Sequence, residues 1–159
     1  MSEMPSVGDP APSFEGVDQD GNTVRLQDFE GRPIALYFYP KDDTPGCTKQ
    51  ACNLRDNTSD LEAAGIAVVG VSPDDAASHE RFAEKYSLPF PLLADPDKTI
   101  LQTYGAWGEK SLYGRTSIGV KRTTFLIGPD GQVLHVFKRP KTTNHAQEIL
   151  AKLTLALNK

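Results

Sequence analysis

Cysteine is scarce in this chain of 159 residues, which has only Cys47 and Cys52. Two cysteines at this length do not make a disulfide scaffold, and thiols left free point to a reducing compartment. A chain of this size can bury a sizeable core without such staples. Long apolar runs are missing as well. The longest are about six residues, far short of the roughly twenty that a membrane-spanning helix needs. Met1-Ser2-Glu3-Met4-Pro5 has neither the basic nor the apolar stretch of a secretory leader. Positive charge is not in excess either. The net charge of −4 gives no support for a nucleic-acid partner. The histidines, His79, His135 and His145, are scattered at no ligand spacing, so no metal site is expected. No internal repeat and no linker divides the chain. The expectation is one soluble, cytoplasmic domain over residues 1–159.

What is present reads as alternating strands and helices. Phe14 to Val17 and Thr23 to Leu26 flank Asp20-Gly21, a hairpin signal. Ile34 to Tyr39 is continuously apolar and aromatic, the pattern of a strand buried on both faces. Ile66 to Val71 is a second such run. A helix is expected from about Ala76 to Tyr86, a short strand at Leu92 to Ala94, and a short helix from Asp97 to Tyr104. Trp107 to Lys121 is Gly- and Ser-containing and weakly periodic, so it reads as loop. Thr124 to Ile127 and Val133 to Phe137 enclose Pro129-Asp130-Gly131 as a hairpin. Ala146, Ile149, Leu150, Leu153 and Leu157 mark one face of a closing amphipathic helix. That order predicts an α/β fold, a mixed sheet covered by helices, with an N-terminal β-hairpin extension.

Both cysteines lie in the stretch from Tyr39 to Cys52, just after the first buried strand. Thr44 suits a helix N-cap, and Pro45 suits the first helical position, where its missing N–H costs nothing. Cys47 then falls in the first turn, where unpaired N–H groups and the helix dipole favour an anion. A thiolate is such an anion and is the reactive form of cysteine. The helix continues through Ala51, Leu54, Thr58 and Leu61 to Gly65. Five positions on one helix separate two Cα atoms by about 8–9 Å, whereas a disulfide tolerates about 7 Å. The pair therefore reads as an attacking thiol with a resolving thiol held apart from it until the helix opens. The spacing is not that of a Cys-x-x-Cys dithiol.

Pro40-x-x-x-Thr44-x-x-Cys47 resembles the active-site signature of the peroxiredoxins. Thr44-Pro45-Gly46-Cys47-Thr48-x-Gln50-Ala51-Cys52 is similar to their Q-type, bacterioferritin comigratory protein-like subgroup. The resemblance extends to Gly8-Asp9-Pro10-Ala11-Pro12-x-Phe14, Gly70-Val71-Ser72, Gly105-Ala106-Trp107-Gly108-Glu109-Lys110 and Arg122-x-Thr124-Phe125-Leu126-Ile127. It implies a thioredoxin-like fold and a thiol peroxidase without a cofactor. By resemblance, Cys47 is the peroxidatic cysteine and Cys52 the resolving one. Thr44 holds sulfur and peroxide, Pro40 shields the sulfur from water, and Arg122 brings a positive charge to it. Gln50 fits a supporting position that orients this arginine. Taken alone, Gln50 would be an exposed helix residue, and Arg122, beside Lys121, a solvated surface charge.

The implied partners are a hydroperoxide substrate and thioredoxin or a similar dithiol reductant, with the enzyme a monomer. Thioredoxins carry a cis-proline before their hairpin; Arg122-Thr123 stands in that region here, which suits peroxide chemistry better than general disulfide exchange. Two other functions fit the same residues: a thiol–disulfide oxidoreductase, and a redox sensor or holdase chaperone that exposes apolar surface on oxidation. Steady peroxide turnover separates the peroxidase from both.

Overall fold

The computed structural model describes residues 4–112 and 114–157. Met1 to Glu3, and the side chain of Leu157 expected on the last helix, lie outside the described residues. The elements are β1 (Glu15–Val17), β2 (Thr23–Arg25), a 3-10 turn (Leu26–Phe29), β3 (Ile34–Phe38), α1 (Pro45–Asp56), α2 (Thr58–Ala63), β4 (Ala67–Ser72) and α3 (Ala76–Tyr86). They continue with β5 (Leu92–Ala94), α4 (Thr99–Thr103), β6 (Trp107–Leu112), β7 (Arg115–Val120), β8 (Thr123–Ile127), β9 (Val133–Phe137) and α5 (His145–Leu157).

Seven strands form one mixed sheet in the order β2-β1-β5-β4-β3-β8-β9. β3, β4 and β5 are parallel neighbours, while β8 runs antiparallel to β3 and pairs Phe38 with Thr123. The N-terminal hairpin joins the far edge through Val17 and Ala94. β3 is buried along its whole length because it lies inside the sheet with layers on both faces. Ala35, Tyr37 and Tyr39 point to one face, where Cys47, Ala51 and Leu54 of α1, Phe82 of α3 and Ile149 of α5 cover them. Ile34, Leu36 and Phe38 point to the other, under Ile100, Leu101 and Tyr104. This is the α/β, thioredoxin-like arrangement expected.

Two expectations are corrected. The segment read as loop from Trp107 to Lys121 is a two-stranded antiparallel ribbon, β6 paired with β7 from Trp107↔Val120 to Leu112↔Arg115. It stands apart from the main sheet, so Arg115 to Ser117 and Ile118 are exposed and show no inward–outward alternation. The helix expected to run unbroken to Gly65 stops at Asp56. Asn57 leaves helical geometry (φ −111°, ψ 18°) before α2 begins. Thr58 Oγ1 donates back to the carbonyls of Leu54 and Arg55, the local competition that bends helices at hydroxyl residues.

Candidate active site

Because β8 is antiparallel to β3, the residue before β8 lies beside the residue after β3. The loop from Pro40 to Thr44 leaves β3 at that end and leads straight into α1. This topology brings Arg122 to the start of the helix that carries Cys47, 75 residues earlier in the chain.

Cys47 is only 1% exposed and packs within the apolar layer on α1's side of the sheet. Its sulfur is not surrounded by hydrocarbon alone. Arg122 Nη2 donates to Cys47 Sγ at 3.2 Å, and Arg122 Nη1 donates to Gln50 Oε1 at 2.6 Å. One planar guanidinium thus spans the first turn of α1. Gln50 is fully buried rather than exposed. Its Nε2 has no hydrogen-bond partner among the described residues, so the Arg122 contact alone fixes the amide. Gly46 makes room for this bridge. A Cβ at that position would lie 3.2 Å from Arg122 Nη2.

Thr44 occupies the N-cap position in extended geometry (φ −100°, ψ 157°), with Pro45 first in the helix. Its hydroxyl does not cap the helix. It donates to the Lys41 carbonyl at 2.9 Å, tightening the loop, while Thr48 N–H closes the first turn onto the Thr44 carbonyl at 2.8 Å. The amides of Gly46 and Cys47 are therefore first-turn donors without intrahelical acceptors. Pro40 ends β3 and is half-buried on the loop. Cys52 is half-buried, is not bonded to Cys47, and lies on the same unbroken helix.

The loop rests on a buried polar cluster that sequence spacing did not signal. Asp42 accepts from Tyr39 Oη at 2.6 Å and Ser78 Oγ at 2.8 Å, and contacts His79 Nδ1 at 2.7 Å. His79 Nε2 lies 3.0 Å from the Leu93 carbonyl. Both ring nitrogens of His79 thus face oxygen atoms. Asp74 accepts from the Asp42 amide and from Ser72 Oγ, both at 2.8 Å. Asp42, Asp74 and His79 place potential ligand atoms within 4.8 Å of one another, but these atoms are already engaged in hydrogen bonds. Asp43 joins the loop to α3 at the surface. Lys85 Nζ and Tyr86 Oη each donate to it at 2.8 Å, and these bonds hold its carboxyl below the usual range. Burial pushes the Tyr37 and Tyr39 phenols well above theirs, helped by nearby acidic groups.

Residues 7–136 match the AhpC/TSA family. The chain belongs to this family. It is 50% identical to Peroxiredoxin Bcp of Escherichia coli K12 over 144 residues, 91% of this chain and 92% of that protein. Among solved structures, a cysteine-to-serine mutant of Xylella fastidiosa PrxQ superimposes with a TM-score of 0.89 at 31% identity, covering 99% of each chain. The Xanthomonas campestris bacterioferritin comigratory protein, in a structure concerned with its alkyl peroxide reduction activity, gives a TM-score of 0.82 at 32% identity. That match covers 90% of this chain and 92% of the other. The chain is thus a Bcp/PrxQ-type peroxiredoxin, a thiol peroxidase. Among the described residues, no helix is long and apolar enough to cross a membrane.

Proposed function

We propose that this peroxiredoxin reduces hydrogen peroxide and organic hydroperoxides at Cys47 and resolves the product through Cys52. The observation that carries the reading is the Arg122 contact to Cys47 Sγ at the opening turn of α1. A sulfur flanked by a guanidinium and by free first-turn amides is set up to be an anion. The thiolate attacks one peroxide oxygen, the O–O bond breaks, and an S–O bond forms. The departing oxygen leaves as hydroxide or alkoxide and takes up a proton. In this reading Arg122 and the Gly46 and Cys47 amides stabilise that charge as it develops, which is where preorganised donors act most strongly. On the same reading Thr44 holds the thiolate and the peroxide through its hydroxyl, Pro40 shields the sulfur from bulk water, and Gln50 orients Arg122.

Cys52 then resolves the Cys47 sulfenic acid as an intrasubunit disulfide, and thioredoxin or a similar dithiol reduces it. The alkyl peroxide reduction of the Xanthomonas campestris protein supports organic hydroperoxides as substrates. The reading takes the protein as a single-domain monomer in a reducing, cytoplasmic setting; that one chain supplies Arg122 and both thiols supports the monomer.

Intact mass with thiol counting after one equivalent of peroxide tests the scheme. The native protein is expected to lose two hydrogens and both free thiols. Cys52→Ser should gain one oxygen, and Cys47→Ser should stay unchanged. Sustained thioredoxin-driven turnover by Cys52→Ser would refute the resolving role.

A further inference from the structure

The helix carrying both cysteines is attached to the fold in two unlike ways. Its first turns hang on the reacting group, through the Arg122 bridge to Cys47 and Gln50. Its last turns are tied by groups that take no part in the chemistry. Asn53 follows Cys52 directly. Its Oδ1 accepts from the Ala146 backbone N–H at 2.7 Å, in the first turn of α5, where amides lack intrahelical partners. Asn53 Nδ2 donates to the Thr143 carbonyl at 3.2 Å and to Gln147 Oε1 at 3.3 Å. Gln147 Nε2 donates to Asn57 Oδ1 at 3.0 Å, and Asn57 Nδ2 returns to the Asn53 carbonyl at 2.8 Å. Arg55 Nη1 adds a bond to the Tyr86 carbonyl at 2.7 Å. Upstream, Asp42 and Asp43 fix the loop to α3 and to Asp74, two residues past β4. Residues 44–52 are therefore a span between two anchored ends.

We propose that Asn53 is a positioning residue for resolution: it holds the Cys52 end of the helix still while the Cys47 end unwinds toward it. This rests on the reading that Cys52 is the resolving thiol. In that step the Cys52 sulfur attacks the sulfur of the Cys47 sulfenic acid. An S–S bond forms, the S–O bond breaks, and the hydroxyl leaves as water with the thiol proton. Cys52 is oxidised, Cys47 sulfenate sulfur is reduced, and no outside reagent is needed. Oxidation also loosens the near attachment, because a neutral sulfenic acid is a weaker acceptor for Arg122 than a thiolate. The far clasp contains no redox group and survives. Without it, unwinding spreads past Asn53, and the effective concentration of the Cys52 thiol at Cys47 falls.

Rapid-quench mass spectrometry on the full chain separates the two steps. Asn53→Ala should consume the first equivalent of peroxide at the native rate. Its disulfide should then form about fivefold more slowly, the factor that one net hydrogen bond is worth, and more Cys47 should reach the sulfinic acid at matched peroxide. Asn53→Asp keeps the acceptor for Ala146 N–H and should restore most of the rate. Gln147→Ala, which leaves α1 unaltered, should give a smaller slowing of the same step. Disulfide formation in Asn53→Ala and Gln147→Ala as fast as in the native protein, or faster, overturns the proposal. A native protein that forms no intrachain disulfide at all would instead defeat the role given to Cys52, so the two failures are distinct.

Discussion

Arg122 and Gln50 share a 2.6 Å hydrogen bond, Nη1 to Oε1, between a half-buried guanidinium and a fully buried amide. The bond has a geometric consequence for Cys47. A guanidinium is a rigid plane, so fixing one terminal nitrogen on Gln50 aims the other at the sulfur 3.2 Å away.

Gln50→Leu keeps the volume of the side chain and removes the acceptor. Arg122 Nη1 then loses its partner, and the guanidinium is free to turn. We expect the second-order rate of Cys47 oxidation to fall about tenfold, equivalent to about 1.4 kcal/mol of barrier. Gln50→Glu should fall further, because its carboxylate draws Arg122 away and adds negative charge near the sulfur. Stopped-flow oxidation under peroxide excess measures both. A Gln50→Leu rate equal to the native one would show that Arg122 needs no orientation.

Gly46→Ala should separate stability from activity. Alanine is the better helix former, by up to about 1 kcal/mol, so the denaturation midpoint of the reduced protein should hold or rise. The new methyl carbon would sit 3.2 Å from Arg122 Nη2, closer than carbon and nitrogen normally pack, and the guanidinium must shift to admit it. Cys47 oxidation should therefore slow by severalfold in a protein at least as stable. A variant that is both less stable and fully active would contradict this account of the glycine.

Local signals carried the helix start at Thr44-Pro45, the buried β3, and the closing hairpin and helix, because capping, apolar runs and periodicity are properties of neighbours in sequence. The β6–β7 ribbon escaped because Arg115 to Ile118 of β7 are exposed in succession rather than alternately buried, so that strand leaves no period-two record in the chain. Local pattern did not mark Gln50 either, and only the family resemblance named it. A polar residue on a helix reads as exposed unless its partner is known, and its partner, Arg122, is 72 residues away. The same holds for Asp42 and His79, 37 positions apart. Each looks like an ordinary polar residue until the α3–β3 packing closes over both. The family resemblance located Arg122, but no local pattern in the chain distinguishes it from Lys121.

His145 gives the fold a defined acid sensitivity. It is fully buried at the start of α5, with Nδ1 2.9 Å from Glu148 Oε1 and Nε2 2.8 Å from Thr124 Oγ1. Burial pushes its pKa below the ordinary value, and the Glu148 hydrogen bond offsets this only in part. The sign follows from linkage. Above about pH 6.5 both folded and unfolded chains carry a neutral imidazole, and its full contribution to stability is present. As the pH drops below that value, the unfolded chain takes up the proton first, so stability falls until the folded-state pKa is passed. His135 is lowered too, chiefly by burial, and adds to the same trend. Urea denaturation of the reduced protein should show a lower midpoint at pH 5.5 than at pH 7.5, and His145→Gln should shrink that difference without abolishing it. Because the backbone N–H of Ala146, the next residue, donates to Asn53 Oδ1, amide exchange in acid should quicken first around the α1–α5 contact. An unchanged pH dependence in His145→Gln would remove this histidine from the explanation.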